Sequence, residues 1–302
     1  MKYIIYYRIN CLHRYNFENI AGRPLLFKLS VTLLISSDAY FLVFHGSRDC
    51  RTQTAALNLR NLSIAKKQPK NILTQHNYLE KNPNQIDSKS TTLSSSLPLI
   101  EIAALELADL SLSESLINFA RRAGIEGYQR IKVIPLFLAP GVHVREDIPR
   151  EIALATEQIG DRVTIELLPY LGKYSEIVTL LARQFEDLSA KTRILIAHGS
   201  KLLAVAEYYQ ELGTKLGVDV AYWSTEPRFN EQIKIKIAAG SKEIALVPYF
   251  LFPGRITSAI AEEVSMLQQE YPEVELRLGK PLGSTPAIAE LIANSSLNYE
   301  SI

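Results

Sequence analysis

The sequence predicts an α/β protein built from two similar halves, each with a central parallel sheet flanked by helices. Two observations predict this fold class. Short β-branched runs alternate with amphipathic stretches of helical length, and three sequence blocks recur in the same order along the chain. The 302 residues, 47% of them hydrophobic, are enough for two domains of ordinary size.

The alternating elements can be placed one by one. β-Branched apolar runs predict strands at 40–44, 131–137, 164–168, 193–197, 219–223, 243–249 and 274–278. Amphipathic periodicity predicts helices between them, for example at 145–159, 175–188, 201–216 and 257–270. In such folds ligands bind beyond the carboxyl ends of the strands, so the residues that follow each strand are the first candidates for a site.

Three pairs of sequence blocks indicate an internal repeat. FLVFHGSR at 41–48 returns as ILIAHGSK at 194–201, and PLFLAPG at 135–141 returns as PYFLFPG at 248–254. PYLGKYSEIVTLL at 169–181 is echoed by KPLGSTPAIAELI at 280–292. The chain is therefore predicted to be a duplicated α/β half, with an N-terminal half at 38–188 and a C-terminal half at 190–302.

Two segments differ in composition from both halves. Residues 1–37 are basic, and Lys28 interrupts their short apolar stretch, so we expect an extension outside the fold rather than a signal peptide. Residues 66–98 are rich in Lys, Asn, Gln and Ser and lack periodicity. Such a composition buries too little apolar surface to offset its ordering entropy, so we expect a mobile insertion.

Charge and cysteine content argue against several classes of protein. The 33 Lys and Arg against 32 Asp and Glu give a net charge of +1, without the basic surplus of a nucleic-acid-binding protein. The nearest candidate for a membrane span, 24–36, is short and contains Lys28. Two cysteines are too few for a disulfide framework or a four-cysteine zinc site, so we expect a cytoplasmic protein.

His-Gly-Ser follows a predicted strand in each half. This places His45 and His198 at the carboxyl edge of a sheet, where the glycine permits a tight turn and the next helix offers free N–H groups to an anion. The same tripeptide is typical of a capped strand–helix turn in which the histidine has no functional role. For one such turn alone, the sequence favours this second interpretation.

In the N-terminal half, a further histidine favours a functional role for His45 over a purely structural one. His143 follows the predicted strand 131–137 in a Gly/Pro loop, so His45 and His143 can form a site for iron, cobalt, nickel or zinc. Glu106 is a candidate carboxylate beside them, and the repeat pairs it with Glu226. An exposed glutamate at a helix end is an equally good interpretation of Glu106.

Five segments resemble the class II tetrapyrrole chelatases that act on sirohydrochlorin. They are HGSRD (45–49), LELADLSLSESL (105–116) and VIPLFLAPGVHVREDIP (133–149), with HGSK (198–201) and VPYFLFPGRITSAI (247–260). The resemblance implies two lobes with a cleft between them. It also implies a lyase that inserts Fe²⁺ or Co²⁺ into sirohydrochlorin without ATP, giving sirohaem or the cobalt precursor of cobalamin. The metal is then a substrate, and no permanent cofactor is expected.

The resemblance also implies roles for individual residues. By position, His45 and His143 bind the metal and take up the pyrrole protons, and Glu106 is the nearby acid. Ile256 aligns with His143, so we expect no equivalent metal site in the C-terminal half. The carboxylates of sirohydrochlorin need cationic and N–H donors. The candidate substrate-binding residues, each equally compatible with a solvated surface group, are Ser47, Arg48, Arg145, Lys201, Arg255, Thr257 and Ser258.

Alternative functions stay open at this point. The chain lacks the G-x-S-x-G, G-x-G-x-x-G and G-x-x-x-x-G-K-[ST] motifs of hydrolases, dinucleotide enzymes and ATPases. A protoporphyrin ferrochelatase and a non-catalytic carrier of tetrapyrroles or metals are the remaining alternatives. We expect a monomer, because the duplication can replace a homodimer of half-length chains, with sirohydrochlorin as its ligand and neither nucleic acid nor membrane as a partner.

Overall fold

The computed structural model describes residues 38–67 and 97–295, together with a short antiparallel pair, Phe17–Glu18 with Pro24–Leu25. The rest of the extension 1–37, most of the insertion 66–98 and residues 296–302 lie outside the described residues. The expectations for the extension and the insertion therefore stay predictions. Among the helices that are described, none has the length and apolar character needed to cross a membrane.

The N-terminal half forms a four-stranded parallel sheet. Its strands, in the spatial order β2-β1-β3-β4, are β1 (Asp38–Phe44), β2 (Ile100–Ala104), β3 (Arg130–Pro135) and β4 (Thr164–Leu167). Its helices are α1 (Cys50–Lys67), α2 (Leu112–Ile125), α3 (Ile148–Ile159) and α4 (Glu176–Leu188). A π-helical turn, His143–Asp147, leads directly into α3.

The C-terminal half repeats this topology. Its strands, in the order β6-β5-β7-β8, are β5 (Thr192–Ala197), β6 (Asp219–Tyr222), β7 (Glu243–Pro248) and β8 (Glu275–Leu278). Its helices are α5 (Leu203–Leu216), α6 (Phe229–Ala238), α7 (Arg255–Glu270) and α8 (Pro286–Asn294). The two sheets share one strand order, which confirms the predicted fold of two similar α/β lobes.

The central strands β1 and β5 are buried on both faces, as expected for parallel sheets covered by helices. Alternate residues of β1 point into two different cores, because side chains of a strand alternate between its faces. One core is shared by both halves and contains residues of α1, α4, α5 and α8. Each half also has a core of its own. In the N-terminal half it lies between the first sheet and helices α2 and α3, and in the C-terminal half between the second sheet and helices α6 and α7.

The last helix of each half packs against the other half. Helix α4 ends the N-terminal half and lies against β7 of the second sheet, while α8 packs against α1. Polar contacts reinforce the second of these packings, since Lys66 Nζ lies 3.1 Å from Glu290 and Lys67 Nζ donates to the Ala293 carbonyl at 2.9 Å. The two halves are thus joined by exchanged helices as well as by the chain.

The strands and helices named from the sequence are confirmed to within a few residues at their ends. One strand was not predicted. Segment 100–104 forms β2, an edge strand that pairs only with β1 among the described strands. This strand brings Glu106 to the carboxyl edge of the first sheet.

Candidate metal centre

The turn after β1 brings His45 and Glu106 together. The ladder between β1 and β2 continues past both strands, so that Glu106 N donates to the His45 carbonyl at 3.0 Å. Gly46 has a φ of +95°, and a Cβ placed there would lie 2.0 Å from the Glu106 carbonyl oxygen. Glycine is therefore required at position 46 both by the backbone conformation and by the close approach of Glu106.

His143 opens the π-helical turn that precedes α3. Its Nδ1 lies 2.8 Å from Asp147 Oδ2. Because an ionised carboxylate only accepts hydrogen bonds, Nδ1 carries the proton and Nε2 keeps its lone pair. His45 has the same arrangement, with Nδ1 facing the Gly46 carbonyl at 3.2 Å. Both imidazoles therefore present a free Nε2 as a metal ligand or proton acceptor.

The candidate ligand atoms of His45, Glu106 and His143 all lie within 4.8 Å of one another. His143 Nε2 is 3.9 Å from Glu106 Oε1, and the two imidazole rings meet edge to face with centroids 4.8 Å apart. Two imidazoles and one carboxylate suit Fe²⁺ and Co²⁺. The side chain of Glu106 is 49% exposed, so the group is open on one side, as a centre that receives and passes on a metal must be.

Two further residues support this group, and neither was among the candidates predicted from the sequence. Asp147 orients His143, and the signal for it was the four-residue spacing within HVRED, which places both side chains on one face of a helical turn. The ring of Phe137 lies beside both imidazoles, with centroids 6.3 Å from His45 and 6.1 Å from His143. No sequence pattern marked Phe137 as different from its apolar neighbours.

The three hydroxyl candidates for substrate binding already have partners within the protein. Ser47 Oγ accepts from Asp49 N at 3.0 Å. Thr257 Oγ1 caps the start of α7, lying 2.9 Å from both the N and the O of Gly254. Ser258 Oγ accepts from the Arg51 guanidinium at 2.8 Å, a contact between the halves. Their structural roles are clear, and any contact with substrate stays a proposal.

The four cationic candidates are differently placed. All are exposed, and none makes a salt bridge with a residue in the described part of the chain; they are Arg48, Arg145, Lys201 and Arg255. The pKa of the Asp49 carboxyl, next to Arg48 in the chain, is held below the usual value chiefly by hydrogen bonds from Arg51, with a smaller contribution from Arg255. The four guanidinium and ammonium groups are thus available for anionic ligands.

The C-terminal half keeps the turn and its histidine but not the other two ligands. His198 is followed by Gly199 at a φ of +88°, and Ser224 N donates to the His198 carbonyl at 2.9 Å. Ser224 therefore occupies the position of Glu106, and the predicted pairing of Glu106 with Glu226 is wrong. The carboxylate of Glu226 instead accepts from Arg228 N. Within residues 190–295, the described part of the C-terminal half, no group of three potential metal ligands lies close together.

Comparison with known proteins identifies the family. The sequence model of the CbiX family matches residues 91–188 and, a second time, residues 192–298. The chain belongs to the CbiX family. This assignment confirms the resemblance to the chelatases, and the double match agrees with the repeated topology. The first CbiX match begins after β1 and so contains Glu106 and His143 but not His45.

Individual relatives of this CbiX chain carry two related names. A sirohydrochlorin ferrochelatase of Priestia megaterium is 24% identical over 212 residues, covering 66% of this chain and 77% of the relative. A sirohydrochlorin cobaltochelatase of the same organism is 21% identical over 210 residues, covering 64% and 67%. The structure of SirB from Bacillus subtilis with Fe³⁺ has a TM-score of 0.60 at 22% identity, covering 86% of this chain and 94% of SirB, and supports the fold.

Proposed function

We propose that this protein is a sirohydrochlorin chelatase, a lyase that inserts Fe²⁺ or Co²⁺ into the acidic macrocycle. The observation that carries the proposal is the convergence of His45, Glu106 and His143 at the open carboxyl edge of the first sheet. The family and the names of the relatives supply the substrate, and the donor set fits both metals.

The proton balance of metal insertion fits this centre. Two pyrrole N–H protons must leave the macrocycle for each divalent metal that enters it. An imidazole that releases its metal regains a lone pair on Nε2 and can accept one of these protons. For His143, the Asp147 carboxylate at 2.8 Å stabilises the resulting imidazolium. The same two side chains thus deliver the metal and remove the protons.

Exposed cations in equivalent turns of both halves are the candidate groups for substrate docking. Arg48 follows the His45 turn and Arg145 lies in the His143 turn, while Lys201 and Arg255 occupy the corresponding turns of the C-terminal half. Guanidinium and ammonium groups form strong charge-assisted hydrogen bonds with carboxylates. Four exposed cations from both halves therefore suit a macrocycle that carries carboxylates around its rim and lies between the lobes.

An anaerobic absorbance assay tests the proposal. Purified protein is mixed with sirohydrochlorin and either Fe²⁺ or Co²⁺, and the spectral conversion is compared with the uncatalysed reaction. We expect acceleration, and the ratio of the two rates gives the preferred metal. His143→Ala should lose insertion but still bind the macrocycle, whereas the matched change His198→Ala should have little effect.

Each alternative outcome has a defined meaning. A spectral shift on binding without accelerated insertion would identify a carrier rather than a catalyst. Insertion into protoporphyrin but not into sirohydrochlorin would identify the other class of ferrochelatase. Full activity of His143→Ala would show that the centre is elsewhere.

A further inference from the structure

Two neighbouring tyrosines of the C-terminal half donate hydrogen bonds to the N-terminal half, and one of them contacts the loop that carries a metal ligand. Tyr249 follows β7, and its hydroxyl lies 2.9 Å from the Leu138 carbonyl oxygen. Tyr208 of α5 places its hydroxyl 2.8 Å from the Gly172 carbonyl oxygen, and the two hydroxyls are 2.7 Å apart. Leu138 belongs to the short segment between β3 and His143. A hydroxyl of one half therefore reaches the metal-carrying loop of the other.

The same segment is also fixed from within its own half. Gly172 N donates to the Phe137 carbonyl at 2.9 Å. A Cβ at Gly172 would lie 2.0 Å from the Leu138 carbonyl oxygen, so only glycine permits this approach. The ring of Phe137 lies beside both candidate imidazoles. A movement of Leu138 would therefore displace the adjacent Phe137 ring and, through it, His45 and His143.

Each hydroxyl contacts one carbonyl and the other hydroxyl, but only that of Tyr249 contacts the segment between β3 and His143. Tyr208 and Tyr249 have one hydroxyl hydrogen each, but three contacts at hydrogen-bond distance, two of them to carbonyls that only accept. Burial raises the pKa of both phenols, so both hydrogens are present at neutral pH. Without its neighbour's hydroxyl, Tyr249 has Leu138 as its remaining acceptor, whereas removal of the Tyr249 hydroxyl leaves the Leu138 carbonyl without this donor.

We propose that Tyr249 is a positioning residue for the metal centre, acting through Leu138 and Phe137 on His45 and His143. The described part of the C-terminal half contains no group of three metal ligands of its own, and through this contact it holds the ligand-bearing loop of the other half in place. The inference rests on the proposed function only insofar as the centre must bind a divalent metal.

Co²⁺ binding to the full chain, without tetrapyrrole, tests this role. The visible absorption of bound Co²⁺ reports both affinity and coordination geometry. We expect Tyr249→Phe to weaken Co²⁺ binding about tenfold and to change the spectrum, as for loss of a supporting contact behind a ligand. Tyr208→Phe should change affinity less than about twofold, because Leu138 keeps its donor.

Tyr209→Phe is the matched control. Tyr209 is 6% exposed and its ring lies 6.2 Å from that of Tyr249, but its hydroxyl forms no hydrogen bond with any residue that the structure describes. Equal losses of Co²⁺ affinity in all three variants would indicate general loosening of the core and overturn the proposal. An unchanged affinity of Tyr249→Phe, or absence of Co²⁺ binding by the wild type, would overturn it as well.

The insertion assay separates this inference from the proposed function. With an active enzyme, Tyr249→Phe should raise the KM for the metal with little change in kcat, since the chemistry at the nitrogens is unaltered. A wild type that binds Co²⁺ but inserts none into sirohydrochlorin would refute the chelatase function. The Co²⁺ titrations of the three variants would still decide the role of Tyr249.

Discussion

At the scale of single residues, the candidate centre depends on which nitrogen of each imidazole is free. The Asp147 carboxylate fixes Nδ1 of His143 as the protonated nitrogen, and it also pairs with Arg150 at 3.1 Å. We predict that Asp147→Ala weakens Co²⁺ binding by about 10- to 100-fold, because the imidazole loses both its orientation and its preferred tautomer. A Co²⁺ titration of the purified variant measures this loss.

Arg150→Gln provides the control for Asp147. It removes the other partner of the same carboxylate, but the Arg150 side chain is 63% exposed and an ion pair of this kind contributes little. Its Co²⁺ affinity should stay within about twofold of the wild type. Equal losses of affinity in both variants would contradict the role given to Asp147, because, of the two residues, only Asp147 contacts His143; disruption of the turn by loss of the ion pair would then be the cause.

At the scale of the elements, the turn between β1 and α1 is the most constrained part of the centre. Gly46→Ala adds a Cβ at a φ of +95° and 2.0 Å from the Glu106 carbonyl oxygen. We predict a loss of about 3 kcal/mol in the free energy of unfolding, from backbone strain and overpacking together. Glu106 must also move away from His45, so Co²⁺ binding should fall sharply in the same variant.

Two other glycines separate the cost of the backbone conformation from the effect on Co²⁺ binding. Gly127 has a φ of +88°, and apart from its own chain neighbours no described residue has an atom within 4 Å of the place that a Cβ would take. Gly127→Ala therefore isolates the cost of the backbone conformation, about 1 kcal/mol. Gly199 occupies the equivalent turn after His198, where a Cβ would lie near Thr225. Gly199→Ala should therefore destabilise the fold but leave Co²⁺ affinity unchanged; weaker binding there would place a ligand in the C-terminal half.

The end of α1 gives the protein a pH-dependent stability. Burial lowers the pKa of Lys67 to about 8, from a usual value of 10.5. The unfolded chain therefore binds more protons than the folded one between these values, so stability rises with pH. We predict a gain of about 1.5 kcal/mol between roughly pH 8 and 9.5, measured by urea unfolding.

Lys67→Met tests the origin of that gain. The variant keeps an unbranched side chain over the Tyr40 ring, which Lys67 Nζ approaches to 3.7 Å, but it cannot titrate. Its stability should be nearly independent of pH over the same window. Higher pH is avoided because burial raises the pKa of Tyr209 to about 12, and the stability from that phenol is lost as pH rises from its usual value of 10.0 through 12. An unchanged slope in Lys67→Met would assign the gain to another group.

Individual strands also show which features of the fold the sequence could predict and which it could not. Buried central strands such as β1 and β5 were predictable because both faces are apolar. The edge strand β2 was missed, since it carries Glu101 and two alanines in a segment rich in helix-forming residues. Residue type also gave the wrong pairing of the repeats. Glu106 was matched with Glu226 because both are acidic, whereas the backbone hydrogen bonds make Ser224 the residue equivalent to Glu106. Proximity across a sheet edge is set by that register, which composition does not encode.

At the scale of the whole molecule, the exchanged helices make the two halves dependent on each other. Helix α4 belongs to the N-terminal half in sequence but packs against β7, and α8 returns to pack against α1. Separation of the lobes would expose the apolar faces of both helices and open the shared core. The two sheets should therefore unfold in one transition, although each has a complete strand order of its own.

A substitution in α4 tests this coupling through a probe in the other half. Leu181 is fully buried in the shared core, and Trp223, the only tryptophan, follows β6 in the C-terminal half. We predict that Leu181→Ala costs about 3 kcal/mol and shifts the unfolding midpoints of Trp223 fluorescence and of far-UV circular dichroism by the same amount. Leu154→Ala, at a position of α3 that is 45% exposed, should shift neither. Separate midpoints for the two probes in Leu181→Ala would mean that the lobes unfold as independent domains. The hydrogen bond from Tyr249 to Leu138 would then be too weak a link for the C-terminal half to hold the loop that carries His143.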